Sequence, residues 1–216
     1  MEAAVGVLLG YREMRLLQYL AVLLFATVAW AQPPAEFVAQ LREGGYVLYM
    51  RHASTDFSQN DSRMTRYEDC ASQRNLTERG RQEARDVGSH VKRLRIPIGE
   101  VFASPFCRTM ETARLAFGKA QATNDVRGGP VRSDDPQRYE PLRKLLGTPP
   151  KGKTNNVISS HGNPFQAVAG PPYLAEGEIA VVRPEGGTQF TVLARIRPEN
   201  WSDLRAAAGR ALSAGP

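Results

Sequence analysis

The chain has 216 residues, 42% of them apolar and 23% charged, which suits a soluble globular domain with its own core and excludes a disordered polymer. Its net charge of +6 fits either a solvated basic surface or a site built for anionic ligands. The basic residues are dispersed rather than interleaved with aromatics, so nucleic acid is not an expected partner.

Residues 1–31 read as a secretory signal outside the fold. The apolar run 16–29 is about 14 residues long, short for a bilayer span, and it ends in the small-x-small site Ala29-Trp30-Ala31. Counted from Met14 the segment opens on Arg15 and is cleanly basic, so Met14 is a candidate true start. An uncleaved anchor is the alternative. The expected location is periplasmic or secreted, with no stable membrane insertion after cleavage. Export places Cys70 and Cys107, the chain's two cysteines, where one disulfide can form, and only one pairing exists. Such a bridge would tie the loop after the first strand to the turn carrying Arg108.

Residues 32–200 read as one domain. A short amphipathic helix, 34–42, ends at Gly44-Gly45, and 46–50 form an apolar first strand. The polar stretch 53–74 is a long loop of the kind that usually serves function. Thr77 caps a helix over 78–94 whose Ala84, Val87, Val91 and Leu94 share a face. Val101-Phe102-Ala103 is a second strand, followed by a helix with the stripe Phe106, Met110, Ala113 and Phe117, closed by Gly118. Residues 119–136 resist assignment apart from a short strand near Val131. A helix is expected over 139–146 and a third strand over 156–160, then a short helix and a hairpin of strands 179–183 and 189–196. Residues 201–216 form an Ala/Gly-rich tail, either a loose helix or disordered. There is no internal repeat. Alternating strands and helices predict an α/β fold, a three-layer α/β/α sandwich with a mainly parallel central sheet.

Arg51 and His52 leave the first strand, Arg108 opens the helix after the second, and His161 leaves the third. In a parallel sheet those ends converge on one edge, where such folds bind ligands. Two arginines with two histidines describe an oxyanion pocket, because guanidinium forks match phosphoryl oxygens and stay charged. A histidine there can attack phosphorus and carry the group covalently. A metal site is not expected: the third histidine, His90, lies in a helix away from the motifs, and arginines crowd the other two.

Arg51-His52-Ala53, the run from Leu76-Thr77-Glu78 to Ala84, the run from Ser104-Pro105 to Ala113, and Ser160-His161-Gly162-Asn163 together resemble the histidine phosphatase (phosphoglycerate mutase-like) superfamily, in the family's order. The resemblance implies the same three-layer fold and no cofactor. It implies hydrolysis of phosphomonoesters through a phosphohistidine on His52, with Arg51, Arg108 and a protonated His161 binding the phosphoryl group. Thr55 is a candidate extra hydroxyl for the phosphate, with a local turn role as the equal alternative. The chain departs from the family in having Ala53 where Gly is familiar, and Gly162-Asn163 rather than an acid after the second histidine. The proton donor would then lie between the second and third strands, among Asp134, Asp135 and Glu140, or at Glu176; Asp135 and Glu176 are the preferred candidates. The expected partner is a small phosphorylated substrate, an envelope sugar phosphate being one option. A mutase and a non-catalytic binder of phosphorylated ligands are the competing functions.

Overall fold

The computed structural model describes residues 34–127 and 137–213. Its centre is a six-stranded sheet in the order β3-β2-β4-β1-β5-β6. These strands are β1 (Val47–Arg51), β2 (Ile98–Ala103), β3 (Gln121–Ala122), β4 (Asn155–Ser160), β5 (Ile179–Gly186) and β6 (Gln189–Ile196). The first four run parallel, while β5 and β6 are an antiparallel hairpin added beside β1. The mainly parallel sheet expected from the alternation is therefore present, with an antiparallel edge.

The period-2 pattern of β1 supplies both layers. Leu48 and Met50 face a core that includes Val38, Leu41, Val87, Val91 and Trp201. Val47 and Tyr49 face a second core with Leu142, Leu146, Phe165 and Leu174. Successive strand side chains point to opposite faces, so a fully apolar strand needs a helical layer on each side. The first layer comes from α1 (Pro34–Glu43), α2 (Glu78–Arg93), α3 (Cys107–Phe117) and α6 (Trp201–Ser213), the second from α4 (Glu140–Gly147) and α5 (Gly162–Ala169).

One expectation changes: strand β2 begins at Ile98 rather than Val101, because Ile98 pairs with Asn155 across a register shift. Of the two readings of the stretch after Trp201, a loose helix or disorder, the helix is present, 13 residues long. It packs on α1 and α2 with Trp201 1% exposed in the first core; one large buried aromatic docks an otherwise bland helix. The possible strand at Val131 lies outside the described residues. Among the described residues no helix is long and apolar enough to cross a membrane.

Candidate active site

The carboxyl ends of β1, β4 and β2 lie side by side, and each delivers a functional group. Arg51 pairs with Ser160 in the β1–β4 ladder, and the His52 amide continues it by donating to the Ser160 carbonyl at 2.9 Å. His161 comes immediately after β4. The Ser104 amide, just past β2, donates to Ser159 at 3.0 Å, and its hydroxyl lies 2.9 Å from His161 Nε2. The two imidazoles meet edge to face with ring centroids 5.6 Å apart. Register alone brings the two histidines together.

His52 is 2% exposed. Its Nδ1 lies 3.0 Å from the Ala53 carbonyl, and a carbonyl can only accept, so Nδ1 carries the hydrogen and Nε2 keeps its lone pair. Burial pushes His52 down to about 3, and Arg108, Arg51 and Arg74 add to this against the opposing Ala53 bond. Kept neutral at ordinary pH, the ring offers a lone pair that can act as a nucleophile. Burial also holds His161 well below its usual value, reinforced by Arg108, His52, Arg74 and Arg51. By itself the cationic, buried setting disfavours the protonated form that was expected to bind a phosphoryl group.

Three guanidinium groups surround these rings. Arg51 donates from Nη1 to the Leu174 carbonyl at 2.7 Å and lies over the ring of Tyr173. Arg108 is 5% exposed and pairs with Asp61 at 3.0 Å. Arg74 was not singled out in the sequence. Its amide donates to Asp61 Oδ1 at 2.9 Å, and its carbonyl accepts from Arg108 at 3.3 Å. The Nε atoms of all three arginines are buried without a hydrogen-bond partner among the described residues. Buried N–H groups are nearly always paired, so three such donors around two histidines mark a place for an oxyanion. Arg51, His52, Arg74, Arg108 and His161 line one cavity of about 400 Å³, with Tyr139 and Tyr173 among its outer residues. A larger open groove of about 1240 Å³ contains neither histidine and runs past the outer side of the cysteines.

Thr55 is engaged within the protein. Its hydroxyl donates to Glu176 Oε1 at 2.7 Å, and its backbone bridges to Leu76. Glu176, one of the two preferred candidate acids, stands outside the cavity lining. Its carboxylate takes Thr55 N–H and O–H and the Arg51 fork, lies on the Nδ1 side of His52 at 3.8 Å, and does not line the cavity. Glu140 opens α4 as an exposed residue away from the cavity lining. Asp134 and Asp135 lie outside the described residues. No carboxylate among the described residues lines the cavity.

Cys70 and Cys107 form a disulfide with Cα atoms 5.7 Å apart. It joins the loop carrying Asp61 and Arg74 to the first turn of α3, where Arg108 sits. Gln73, 2% exposed, reinforces the seam by accepting from the Cys107 amide at 2.9 Å. The turn after His52 is fixed from the other side: Ser54 donates amide and hydroxyl to Glu83 of α2. Gly80, in the same helix, has no room for a Cβ, which would fall 2.0 Å from the Ser54 carbonyl oxygen. This is why the helix capped by Thr77, whose hydroxyl accepts from the Gly80 amide at 2.9 Å, carries glycine at that turn.

The model of the histidine phosphatase superfamily (branch 1) matches residues 47–128, the stretch that holds Arg51, His52, Arg74 and Arg108. Over that stretch the chain is similar to the histidine phosphatase superfamily. Its fold is similar to that of the protein histidine phosphatase SixA solved with tungstate, at a TM-score of 0.51 and 20% identity over 72% of this chain and 98% of that one. A putative phosphohistidine phosphatase SixA from Agrobacterium tumefaciens follows at 0.49 and 15%, over 71% and 99%. A phosphoserine phosphatase mutant from Entamoeba histolytica in complex with phosphoserine stands at 0.49 and 12%, over 71% and 98%. No curated protein matches the chain. The family match extends over β1, α2, β2 and α3, while His161 and Glu176 come from segments beyond it.

Proposed function

We propose that this protein is an exported phosphatase that hydrolyses small phosphomonoesters through a phosphohistidine on His52. One observation carries the reading. A buried imidazole with its Nε2 lone pair fixed by the Ala53 carbonyl sits among three guanidinium groups whose Nε donors have no partner among the described residues. Phosphoryl transfer needs little beyond a positioned nucleophile and preset positive charge. Arg51, Arg74 and Arg108 supply the charge. A phosphoryl dianion between the rings would oppose the cationic field that keeps His161 neutral, favouring its protonated form.

The leaving oxygen needs a proton when the alcohol is a poor leaving group, and we assign that role to Asp135. Export rests on the sequence of residues 16–31 and is supported by the disulfide, a bond that persists in oxidising compartments. The cavity volume suits a small ester, and sugar phosphates of the cell envelope are among the candidates.

The test is a panel of aryl, alkyl and sugar phosphates offered to the mature protein beginning at Gln32, with and without a chelator. Turnover indifferent to chelation, and a trapped acid-labile, base-stable phosphoenzyme absent from a folded His52→Ala variant, are expected. Full activity in His52→Ala would remove the nucleophile assignment. Transfer to added alcohols exceeding release to water would identify a mutase. For Asp135→Asn the expected result is a selective loss on alkyl phosphates.

A further inference from the structure

The segment between α5 and β5 is folded tightly against the Arg51-His52 corner. Leu174 gives its carbonyl to Arg51 Nη1, and Tyr173 covers the guanidinium face. The Gly177 amide donates to the His52 carbonyl at 2.9 Å, and the Arg51 amide donates to Glu178 at 3.1 Å. The strap carries two carboxylates: Glu178 turns inward to accept from the Ala175 amide at 2.7 Å, while Glu176, its side chain 13% exposed, faces Arg51 and His52. Oε1 accepts from Thr55 Oγ1 at 2.7 Å and from Arg51 Nη2 at 3.4 Å, and Oε2 accepts from the Thr55 amide at 3.1 Å. The same Oε1 stands 3.8 Å from His52 Nδ1, behind the ring as seen from the cavity.

We infer that Glu176 is the positioning residue for phosphorylation of His52: it fixes the Arg51 fork and offsets the positive charge that forms on the imidazole. The inference rests on the phosphohistidine reading above. In the first step the Nε2 lone pair forms the N–P bond, and the bond from phosphorus to the leaving oxygen breaks. That oxygen departs with the bonding pair and takes up a proton. Nδ1 keeps its hydrogen on the Ala53 carbonyl, so the ring has become a cation. In the second step water attacks phosphorus, the N–P pair returns to Nε2, and the water's extra proton is released; the ring is neutral again. A carboxylate 3.8 Å from Nδ1 attracts the ring only while it is charged. The neighbouring arginines oppose that charge, so Glu176 acts on the reaction more than on the resting state.

The experiment compares vanadate, which reaches five-coordination by bonding a histidine nitrogen, with inorganic phosphate, which need not. In Glu176→Gln, vanadate affinity is expected to fall about tenfold, the scale of one charge-assisted contact, while phosphate affinity holds within about twofold or improves as a negative charge leaves. Thr55→Val removes one hydrogen bond to the same carboxylate but keeps its charge, so the vanadate-to-phosphate ratio should stay at the wild-type value. A matching loss for both anions in Glu176→Gln would make the role purely structural, and no loss for either would end the proposal. Turnover gives an independent arm: kcat/KM should fall by one factor across aryl and alkyl phosphates. A loss confined to alkyl phosphates would make Glu176 the proton donor and overturn the inference. If the wild type binds both anions but hydrolyses no ester, the phosphatase reading fails alone, and the anion ratio still decides the role of Glu176. If it binds neither, both fail.

Discussion

Removing the disulfide separates what the long loop owes to covalent closure from what it owes to its own hydrogen bonds. The bridge spans 37 residues of sequence, and closing a loop of that length removes about 4 kcal/mol of chain entropy from the unfolded state at room temperature. On the folded side, the seam holds other bonds. Gln73 accepts from the Cys107 amide and donates to the Tyr67 carbonyl at 2.8 Å, while Asp61 bridges the Arg74 amide and the Arg108 guanidinium. Those survive the loss of sulfur, so Cys70→Ser with Cys107→Ser should still fold but unfold at a lower urea midpoint. A stability loss of about 2–4 kcal/mol is expected, the usual range for a native bridge. The chain has no other cysteine, so reshuffling cannot blur the comparison. Phosphate affinity is the second readout. Arg74 lies four residues from Cys70 and Arg108 is next to Cys107, so both guanidinium groups gain freedom and binding should weaken several-fold. An unchanged urea midpoint would refute the loop-closure argument. A lower midpoint with unchanged phosphate affinity would refute the coupling of the bridge to the arginines.

Arg74→Ala should lower phosphate affinity by about 10- to 100-fold, as expected for a charge-assisted contact; a calorimetric affinity equal to wild type would show that Arg74 only shapes the loop. Acid should destabilise the fold through its buried imidazoles. His52 sits at about 3 when folded against an ordinary 6.5, so between those values the unfolded chain binds a proton that the folded chain does not. Stability therefore falls as pH drops from 6.5 toward 3, by about 2 kcal/mol at pH 5 from His52 alone, and His161 adds in the same direction. Urea midpoints from pH 7 to pH 5 should decline less steeply in His52→Gln, and identical slopes would contradict the assignment. Gly80→Ala drives a methyl into the Ser54 carbonyl and should cost about 1–3 kcal/mol, the ordinary range of overpacking, as a lower melting temperature with reduced turnover. A variant as stable as wild type would mean that the corner after His52 yields easily.

What could be read in the sequence was whatever depends on strand ends and helical period. Arg51, His52 and His161 were legible because a buried parallel strand is a continuous apolar run, and its carboxyl end is where the run stops. Arg108 was legible as the first turn of a helix with a clear stripe. Arg74 was not, since it lies in a polar loop with no period, and its placement depends on Asp61 and the disulfide, both long-range. Its one local signal was its position three residues before the Thr77 cap. Thr55 and Glu176 were both noticed, as a phosphate hydroxyl and a proton donor, but not as a pair: only the strap that brings them to within 2.7 Å shows that they bind each other. The docking of α6 was equally hidden, because Trp201 is one aromatic at the head of an alanine-rich stretch whose pattern alone does not hold a helix to a core.

The charge arrangement explains how this corner can be both stable and ready for an anion. Burying an unpaired guanidinium is costly, and burying several beside two imidazoles more so. Arg51 and Arg108 are each given one carboxylate, Glu176 and Asp61, and neither carboxylate lines the cavity. Each fork therefore spends its Nη side on the protein and keeps a buried Nε without a partner among the described residues. The pairing lowers the burial cost and sets the orientation of the fork before a ligand arrives. Half-compensated, fixed donors of this kind need little reorganisation when a phosphoryl group develops charge. Placing either carboxylate inside the cavity would satisfy the same arginines and repel the same dianion, so Glu176 and Asp61 serve the site by standing behind it.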